Sequence, residues 1–317
     1  MNTTAVVLER PEHLVLSQLE LATAGESDVV VDVEWSGIST GTEKLLWNGR
    51  MPAFPGMGYP LVPGYESVGT VAWAGAESGR AVGDRVFVPG ARCYGEVRGL
   101  FGGAAAHIVV PGARVIPIAE PLSEQGVLLA LAATAYHAVS DAGRRTPIVP
   151  PDLIVGHGVL GRLLARLTVL AGYPAPVVWE LNATRAQGAV GYEVVRPEDD
   201  PRRDYRAVYD VSGDSRILDA LIARLAPGGE VVLAGFYSEP LSFSFPPAFM
   251  REARIRAAAE WQRPDLLAVT ELASEGRLSL AGLITHHEDA RQAPAAYRVA
   301  FDDPTCLKMV LDWRNCQ

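Results

Sequence analysis

The sequence has few cysteines, and they are scattered. Cys93, Cys306 and Cys316 are the three cysteines of 317 residues, and none forms a CxxC pair. This usage excludes a disulfide framework and a cysteine metal cluster, and it is typical of a reducing compartment, so we expect a cytoplasmic protein. We also expect no secretory leader, because the apolar run at residues 6–8 is followed at once by charged residues.

Positive charge and long apolar runs are also lacking. The chain has 28 Lys and Arg against 37 Asp and Glu, a net charge of −9, and it contains no basic run. Nucleic acids and anionic membranes are therefore disfavoured as partners. No apolar run reaches the length of about 20 residues that a membrane-spanning helix needs. A length of 317 residues with an ordinary apolar content of 49% favours two globular domains.

The two parts of the chain differ in pattern. Short apolar or alternating runs divided by turn residues fill residues 1–118 and predict a small β-barrel or sandwich. From about Pro121 onward, apolar strands alternate with helical patterns, which predicts a doubly wound parallel sheet. The last forty residues look like a return to the first domain. We therefore expect an α/β protein with one domain at 1–120 and 275–317 and the other at 121–274.

A glycine-rich turn in the second domain predicts dinucleotide binding. It joins an apolar strand at 153–155 to an amphipathic helix. The first glycine makes the turn, the second lets a pyrophosphate approach the backbone, and the third lets helix and strand pack closely. The alternative is a glycine turn without a ligand. The residues predicted to hold the pyrophosphate are Gly156, Gly158, Val159, Leu160 and Gly161.

An acidic residue completes this fingerprint. Glu180 ends the next strand, 24 residues after Gly156, which is near the spacing of the carboxylate that binds the adenosine ribose. Because a carboxylate repels a 2′-phosphate, Glu180 favours NAD over NADP. Asn182 is predicted to cap the following helix, and Arg185 in that helix either contacts the adenosine half or solvent, or neutralises a 2′-phosphate.

Several motifs together resemble the zinc-type (medium-chain) alcohol dehydrogenase superfamily over essentially the whole chain. The resemblance implies a GroES-like β-barrel catalytic domain, a Rossmann NAD-binding domain, and a homodimer that pairs through residues 241–260. The motifs are GISTGTE (37–43), PGYESVGTV (63–71), GDRV (83–86), ATAYHA (133–138), VGHGVLG (155–161), DVSG (210–213) and LAPGGEVVLAGF (225–236).

Within this superfamily the chain is similar to members that oxidise the 3-hydroxyethyl group of a bacteriochlorophyllide to 3-acetyl in pigment synthesis. That likeness implies a tetrapyrrole substrate. Two other functions stay open: a zinc-free reductase of the quinone or enoyl type that uses NADPH, and a non-catalytic nucleotide-binding relative. The resemblance implies further cofactor contacts from Thr134, Ser212, Gly235 and Phe236.

The chain departs from the zinc members where they bind metal. Ser39 and Thr40 stand in place of the first ligand, a cysteine, and Tyr65 stands in place of the histidine. The third ligand position falls in the alanine-rich run at 130–133, and the four-cysteine structural lobe is missing. Since zinc needs about three converging ligands, we expect no metal. The alternative is an unusual metal site built from Glu66, His107 and His137.

Four residues are candidates for the chemistry that zinc would otherwise support. Thr42 matches the superfamily hydroxyl that binds the alcohol, or it caps the next helix. Tyr65 either offers a phenol to the alcohol or fills the metal space. Glu66 is either a base or a support for an arginine or a backbone amide. His107 is either a proton acceptor or a structural histidine, and the same choice applies to His137.

An irregular apolar insert at 49–66 is the candidate substrate pocket. Its aromatic and methionine side chains offer adaptable apolar surface to a flat tetrapyrrole, or the insert packs on itself over the barrel. No motif supports a role for His286 or His287 at the substrate's magnesium. The predicted pocket residues are Thr40, Trp47, Met51, Phe54, Met57 and Tyr59.

Overall fold

The chain forms two compact units. The computed structural model describes residues 1–140, 148–258 and 260–316. The first unit comprises Met1–Ala130 and Leu280–Gln317, and the second comprises Leu131–Ser279. Both boundaries lie somewhat later in the chain than those expected at 120 and 274. Across the described residues, no helix combines the length and the apolar character that crossing a membrane requires.

Strands dominate the first unit and alternate with helices in the second. In chain order the strands are β1 (Asn2–Arg10), β2 (His13–Glu20), β3 (Asp28–Ile38), β4 (Leu61–Val62), β5 (Ser67–Ala74), β6 (Arg85–Val88), β7 (Arg98–Gly99), β8 (His107–Pro111), β9 (Ile116–Pro117), β10 (Leu153–Val155), β11 (Val177–Trp179), β12 (Glu193–Val195), β13 (Tyr205–Asp210), β14 (Leu225–Leu233), β15 (Arg254–Ala257), β16 (His286–Asp289) and β17 (Met309–Asp312).

The helices are fewer and mostly short. They are α1 (Thr42–Trp47), α2 (Leu129–Val139), α3 (Val159–Leu170), α4 (Leu218–Ile222), α5 (Phe245–Met250), α6 (Arg263–Ser274) and α7 (Ala293–Asp302), with 3₁₀ turns at Glu120–Leu128 and Ala290–Gln292.

Two sheets build the first unit. One has the strand order β2-β1-β4-β7, and the other has the order β16-β17-β3-β5-β6-β9, with β8 also paired to β3. The apolar runs of residues 1–118 form these strands, so the β-rich first domain is confirmed. Valines of β1 and β3, including consecutive ones, are buried in a shared core that also contains Trp313 after β17. This core fixes the end of β3, where the catalytic candidates begin.

The second unit is a single parallel sheet with the order β12-β11-β10-β13-β14-β15. The predicted doubly wound sheet is therefore confirmed. From β10 the chain adds β11 and β12 on one side, and it then adds β13, β14 and β15 on the other side. Open α/β sheets bind ligands at such a switch point in strand order. The glycine turn follows β10 and so lies at the switch point.

The prediction of a helix that begins at Asn182 is wrong. Residues 183–186 form a single turn, and the chain then runs irregularly to β12. Asn182 does behave as a cap, because its side-chain oxygen accepts from the backbone N–H of Thr184 at 2.9 Å. Glycines at 188 and 191, both with positive φ, end the turn before it becomes a helix.

Candidate active site and cofactor site

The glycine turn has the shape that a pyrophosphate needs. Gly156 has φ +104°, a conformation that favours glycine, and a Cβ on Gly161 would lie 1.9 Å from the carbonyl oxygen of Gly156. A Cβ on Gly158 would instead have nothing within 4 Å. The open face of Gly158 lies at the N-terminus of α3, whose first N–H groups have no side-chain cap. These residues fit a bound dinucleotide.

Most of the predicted cofactor residues lie in loops that follow neighbouring strands of the parallel sheet. Val155 stands opposite both Trp179 and Asp210, and Asp210 stands opposite Leu233, so four neighbouring strands end level. Thr134 lies half-buried on α2. The loops after these strands carry the glycine turn, Glu180, Ser212, Gly235 and Phe236.

Glu180 supports the glycine turn directly. Its two carboxylate oxygens accept from the backbone N–H of His157 at 3.0 Å and of Asn182 at 2.8 Å. The carboxylate is thus held between the turn and the loop after β11. This position agrees with the place predicted for it, at the end of the second strand of the fingerprint.

Two buried side chains fasten the loop at 181–192 to the glycine turn. The guanidinium of Arg162 donates to the carbonyl oxygens of Arg185, Gln187 and Gly188 at 2.7 to 3.3 Å. The His157 ring bonds the carbonyl oxygen of Arg185 at 2.6 Å and the hydroxyl of Tyr192 at 2.8 Å.

Burial lowers the pKa of His157 to about 4, so the ring is neutral at pH 7. Its Nδ1–H therefore donates to the carbonyl of Arg185, and its Nε2 accepts from the hydroxyl of Tyr192. The sequence did not point to His157 or Arg162, because buried side chains that hold a loop against a turn follow no sequence motif.

A buried carboxyl organises the next strand end. Asp210 accepts from the backbone N–H of Ser212 at 2.9 Å and from the hydroxyl of Tyr237 at 2.8 Å. Its backbone oxygen also accepts from the N–H of Gly235 at 3.0 Å. Burial raises the pKa of Asp210. The DVSG motif signalled this residue, although the prediction named only its neighbour Ser212.

In the first unit, Tyr65 lies in a small hydroxyl cluster. Its hydroxyl donates to Oγ of Ser39 at 2.7 Å, and its ring meets Phe101 edge-on at 5.1 Å. Burial, followed by the nearby charge of Glu66, raises the pKa of Tyr65, and hydrogen bonding with Ser39 and Thr42 acts against this. The structure therefore brings Thr42, Ser39 and Tyr65 together, with the phenol neutral.

Thr42 is the first residue of α1, after Gly41 at the cap position, and no side chain caps that helix. Its hydroxyl is therefore not used as a helix cap. This favours the alternative in which the hydroxyl faces Tyr65.

Glu43 lies directly beneath this cluster and was not predicted. It is buried in the first turn of α1, where it accepts from the backbone N–H of Ser39 at 3.0 Å and from the hydroxyl of Tyr297 at 2.9 Å. Burial raises its pKa to about 7, and the charge of Glu66 contributes to the shift. Its position in GISTGTE was visible in the sequence, but its burial was not.

Glu66 forms a buried ion pair with Lys308. Their side chains are 0% and 1% exposed, and Nζ lies 2.5 Å from Oε2. Oε1 of Glu66 is buried and has no hydrogen-bond partner among the residues that the structure describes. Burial raises the pKa of Glu66, and Lys308 opposes the shift. Of the two alternatives for Glu66, this arrangement favours support of a neighbour, although the neighbour is a lysine rather than an arginine.

Each of the two histidine candidates is bound to a carboxylate of its own unit. His107 stands opposite Asp32 on β3, and its ring bonds that carboxylate at 2.8 Å. Gly37, which pairs with Glu66, is five residues further along β3, or about 16 Å at strand spacing. The ring of His137 bonds Asp265 of the second unit at 2.7 Å. The structure therefore does not bring His107 to Tyr65.

The donor set at the former metal position does not fit zinc. The first two ligand positions carry hydroxyls that bond each other, and an ammonium group occupies one oxygen of the carboxylate. Within residues 1–140, 148–258 and 260–316, no group of three or more His, Cys, Asp or Glu side chains could hold a metal ion.

The apolar insert packs mostly on its own unit. Met51 is part of the core, and Trp47, Met57 and Tyr59 pack against it. The hydroxyl of Tyr59 donates to the carbonyl of Leu46 at 2.5 Å. These contacts favour the self-packed alternative for four of the predicted pocket residues. Phe54 is exposed, and Thr40 is half-buried in the turn before α1.

Three comparisons bear on this fold and site. Residues 25–120 match the alcohol dehydrogenase GroES-like domain. The chain is 56% identical, over 99% of both chains, to 2-desacetyl-2-hydroxyethyl bacteriochlorophyllide A dehydrogenase of Cereibacter sphaeroides. It is 54% identical, over 100% of both, to the protein of the same name from Rhodobacter capsulatus.

A solved structure shows the same fold. An Escherichia coli short chain alcohol dehydrogenase complexed with NADH superimposes with a TM-score of 0.81 at 22% identity, covering 98% of this chain and 99% of the other. Identity this low bears on the fold alone, whereas the two full-length relatives establish the family. The chain therefore belongs to the medium-chain (zinc-type) alcohol dehydrogenase superfamily, in the family of the 2-desacetyl-2-hydroxyethyl bacteriochlorophyllide A dehydrogenases.

Proposed function

We propose that this protein oxidises the 3-(1-hydroxyethyl) group of a bacteriochlorophyllide to 3-acetyl with NAD, without catalytic zinc. The observation that carries this proposal is the identity, over the full length, to two dehydrogenases named for that substrate. This reaction is a step in bacteriochlorophyll a synthesis. We place the reaction in the cytoplasm, in keeping with the few, scattered cysteines of the sequence.

The second unit supports NAD as the cofactor. When bound, NAD accepts the hydride, and the chain supplies binding and orientation. The turn from Gly156 to Gly161 would hold the pyrophosphate at the start of α3, and Glu180 would accept hydrogen bonds from the adenosine ribose. The hydrogen bonds from Arg162 and His157 fix the loop after Glu180, so the carboxylate is in place before the cofactor binds.

The first unit supports alcohol chemistry through hydroxyl groups. Tyr65 and Thr42 are proposed to hold the substrate hydroxyl, with Ser39 as the hydrogen-bond partner of Tyr65. Since the phenol is neutral, it can accept the substrate's proton while it passes its own proton to Ser39. A positioned acid–base pair of this kind contributes about 10² to 10⁴ in rate. Glu66 and Lys308 support the cluster from below.

A zinc-free reaction follows from the same residues. Zinc requires lone pairs from about three converging ligands. Here the hydroxyl of Tyr65 donates its hydrogen bond to Ser39, and Lys308 neutralises Glu66, the single carboxylate at that position. We therefore propose that hydrogen bonds, and not a Lewis acid, orient the alcohol. For the tetrapyrrole itself, exposed Phe54 is the predicted pocket residue that is free to offer a flat apolar contact.

The second unit also supports a homodimer. Strand β15 is an edge of the described sheet, and α5 next to it exposes Phe245, Phe249 and Met250 at 66%, 65% and 75%. A bare edge strand beside an apolar surface favours pairing with another copy. An apolar depression of about 520 Å³ lined partly by Phe243 lies in the same segment. We propose that residues 241–260 pair two chains, as the family resemblance implies.

The first prediction tests the activity and the absence of a metal requirement. Purified protein, 3-hydroxyethyl bacteriochlorophyllide a and NAD are expected to give NADH and a red-shifted 3-acetyl pigment in equal amounts. Pretreatment with EDTA should leave the rate unchanged, because no metal takes part. Elemental analysis should find no stoichiometric zinc.

Other outcomes of this assay contradict the proposal in different ways. Reduction of a quinone or enone with NADPH, without alcohol oxidation, indicates the reductase alternative. Tight NAD binding without turnover of either substrate indicates a non-catalytic relative. One zinc per chain together with EDTA-sensitive turnover overturns the metal-free chemistry and leaves the substrate assignment standing.

The second prediction concerns cofactor choice. NAD should be preferred over NADP by at least about tenfold in kcat/KM, since a mismatch of about 1.4 kcal/mol at the 2′-phosphate is sufficient. Glu180→Ala should erode the preference, and Arg185→Ala in that background should then weaken NADP. Glu193→Ala, an exposed acid on β12, is the matched control and should leave the ratio alone. Equal use of both cofactors by the unchanged protein contradicts the role of Glu180.

The third prediction concerns assembly. Light scattering at micromolar concentration is expected to give the mass of a dimer. Phe249→Asp should produce monomers, because it places a charge in the proposed apolar interface. Leu267→Asp puts the same charge on an exposed leucine of α6 and should stay dimeric. A monomeric unchanged protein, or a Phe249→Asp dimer, rules out this interface.

A further inference from the structure

The buried floor of the Tyr65 cluster holds more carboxyl groups than cations. The charge of Glu66 acts on Glu43, and both carboxyls lie near Lys308. Glu66 is the one that contacts the ammonium group. If both carboxyls were ionised, the floor would bury one uncompensated negative charge, which is costly.

The geometry shows which of the two carboxyls keeps its proton and so avoids the extra buried charge. Glu66 is paired with Lys308, so its ionised form is stabilised. Glu43 has two donors, the backbone N–H of Ser39 and the hydroxyl of Tyr297, but no cation in contact. Two like charges at one buried site raise the pKa of the less compensated group. In agreement, burial raises the pKa of Glu43 to about 7.

We propose that Glu43 is a positioning residue whose ionised carboxylate holds the backbone of Ser39, so that the serine hydroxyl stays in place as the hydrogen-bond partner of Tyr65. This inference rests on the proposed function. Its structural basis is that Ser39 touches both partners: its Oγ accepts from Tyr65 at 2.7 Å, and its N–H donates to Glu43 at 3.0 Å. Glu43 therefore lies one residue away from the phenol at the reacting end.

The step at the alcohol balances in atoms and charge. NAD, when bound, would take the hydride as the alcohol becomes a carbonyl. The substrate's hydroxyl proton moves to the oxygen of Tyr65, the phenol proton moves to Oγ of Ser39, and the serine's own hydroxyl proton leaves to water. Glu43 exchanges no proton with the substrate, because its contact with Ser39 is to the backbone N–H.

The groups facing Glu43 set the pH at which this works. They are Ser39, Tyr65 and Glu66 beside it, Tyr297 of α7, and Lys308 before β17. Because the ionised carboxylate accepts the hydrogen bond of Ser39 more strongly than the neutral acid does, kcat/KM should rise with pH through about 7. The hydrogen bond from Tyr297 lowers the pKa of Glu43, so its loss should move the rise to higher pH.

The fourth prediction first uses the protein alone. Infrared difference spectra between pH 5 and pH 9 are expected to show a protonated carboxyl band that disappears with a midpoint near 7. Glu43→Gln should remove this band, and Tyr297→Phe should shift its midpoint upward. Glu124→Gln, a change at a half-buried carboxylate away from this cluster in the sequence, is the matched control and should keep the band. Absence of the band, or its survival in Glu43→Gln, overturns the proposal whether or not the substrate assignment is right.

The second measurement is the pH profile of kcat/KM. The unchanged protein should show the rise near pH 7, and Glu43→Gln should lose it together with about tenfold of its rate at pH 8, since a neutral acceptor holds Ser39 less strongly than a charged one. Glutamine keeps the size of the side chain, and its NAD affinity, measured by calorimetry, should be unchanged. A retained rise in Glu43→Gln contradicts the role of Glu43, whereas inactivity of the unchanged protein contradicts the proposed function instead.

The stability of the protein supplies a third check. Glu43 keeps its proton to about pH 7 when folded but loses it near 4.5 when unfolded. Between these values the unfolded state binds fewer protons, so this group lowers the free energy of unfolding as pH rises. Glu43→Gln should flatten that part of the profile. An unaltered slope contradicts the raised pKa.

Discussion

The ion pair between Glu66 and Lys308 is the constraint around which the first unit is arranged. Both side chains are buried, and they join the residue before β5 to the residue before β17, on either side of β3. The contact leaves no room for a side chain on Gly37, where a Cβ would lie 2.3 Å from Oε2 of Glu66. Removal of one partner of such a pair typically costs about 3–5 kcal/mol, because the other charge stays buried.

This ion pair also decides what chemistry the neighbouring residues can do. With its negative charge neutralised by an ammonium group, Glu66 is a poor metal ligand and a poor base. Proton transfer is therefore left to the hydroxyls of Ser39 and Tyr65, and the carboxyl of Glu43 holds the backbone of Ser39. Replacing a metal centre in this way trades a Lewis acid for a chain of hydrogen bonds in a buried, weakly screened site.

The second unit depends on a comparable buried device. The guanidinium of Arg162 and the neutral ring of His157 bind backbone carbonyls of the loop at 181–192, so that loop is fixed although it is not helical. This explains why the predicted helix is absent without loss of order at Glu180. Backbone acceptors that a helix would satisfy internally are satisfied instead by two side chains from the glycine turn and from α3.

The sequence was most informative where a local rule specifies the backbone. The glycine turn, the level ends of parallel strands and the β-rich first domain follow from spacing and alternation, and the structure agrees. Asn182 misled because a good cap does not ensure a helix when glycines follow at once. Glu43, Tyr297 and Lys308 meet through contacts between distant parts of the chain. No spacing rule relates residue 43 to residues 297 and 308.

The central claim is that hydroxyl groups, and Tyr65 above all, do the work of the missing metal. Its most direct test is kcat/KM for the hydroxyethyl pigment in Tyr65→Phe, with NAD affinity measured separately. Tyr94→Phe removes a phenol that donates to the carbonyl of Gly102 in the same unit and serves as the matched control. The account predicts a loss of at least about 100-fold in Tyr65→Phe alone, with NAD affinity unchanged. Turnover equal to that of the unchanged protein would contradict it.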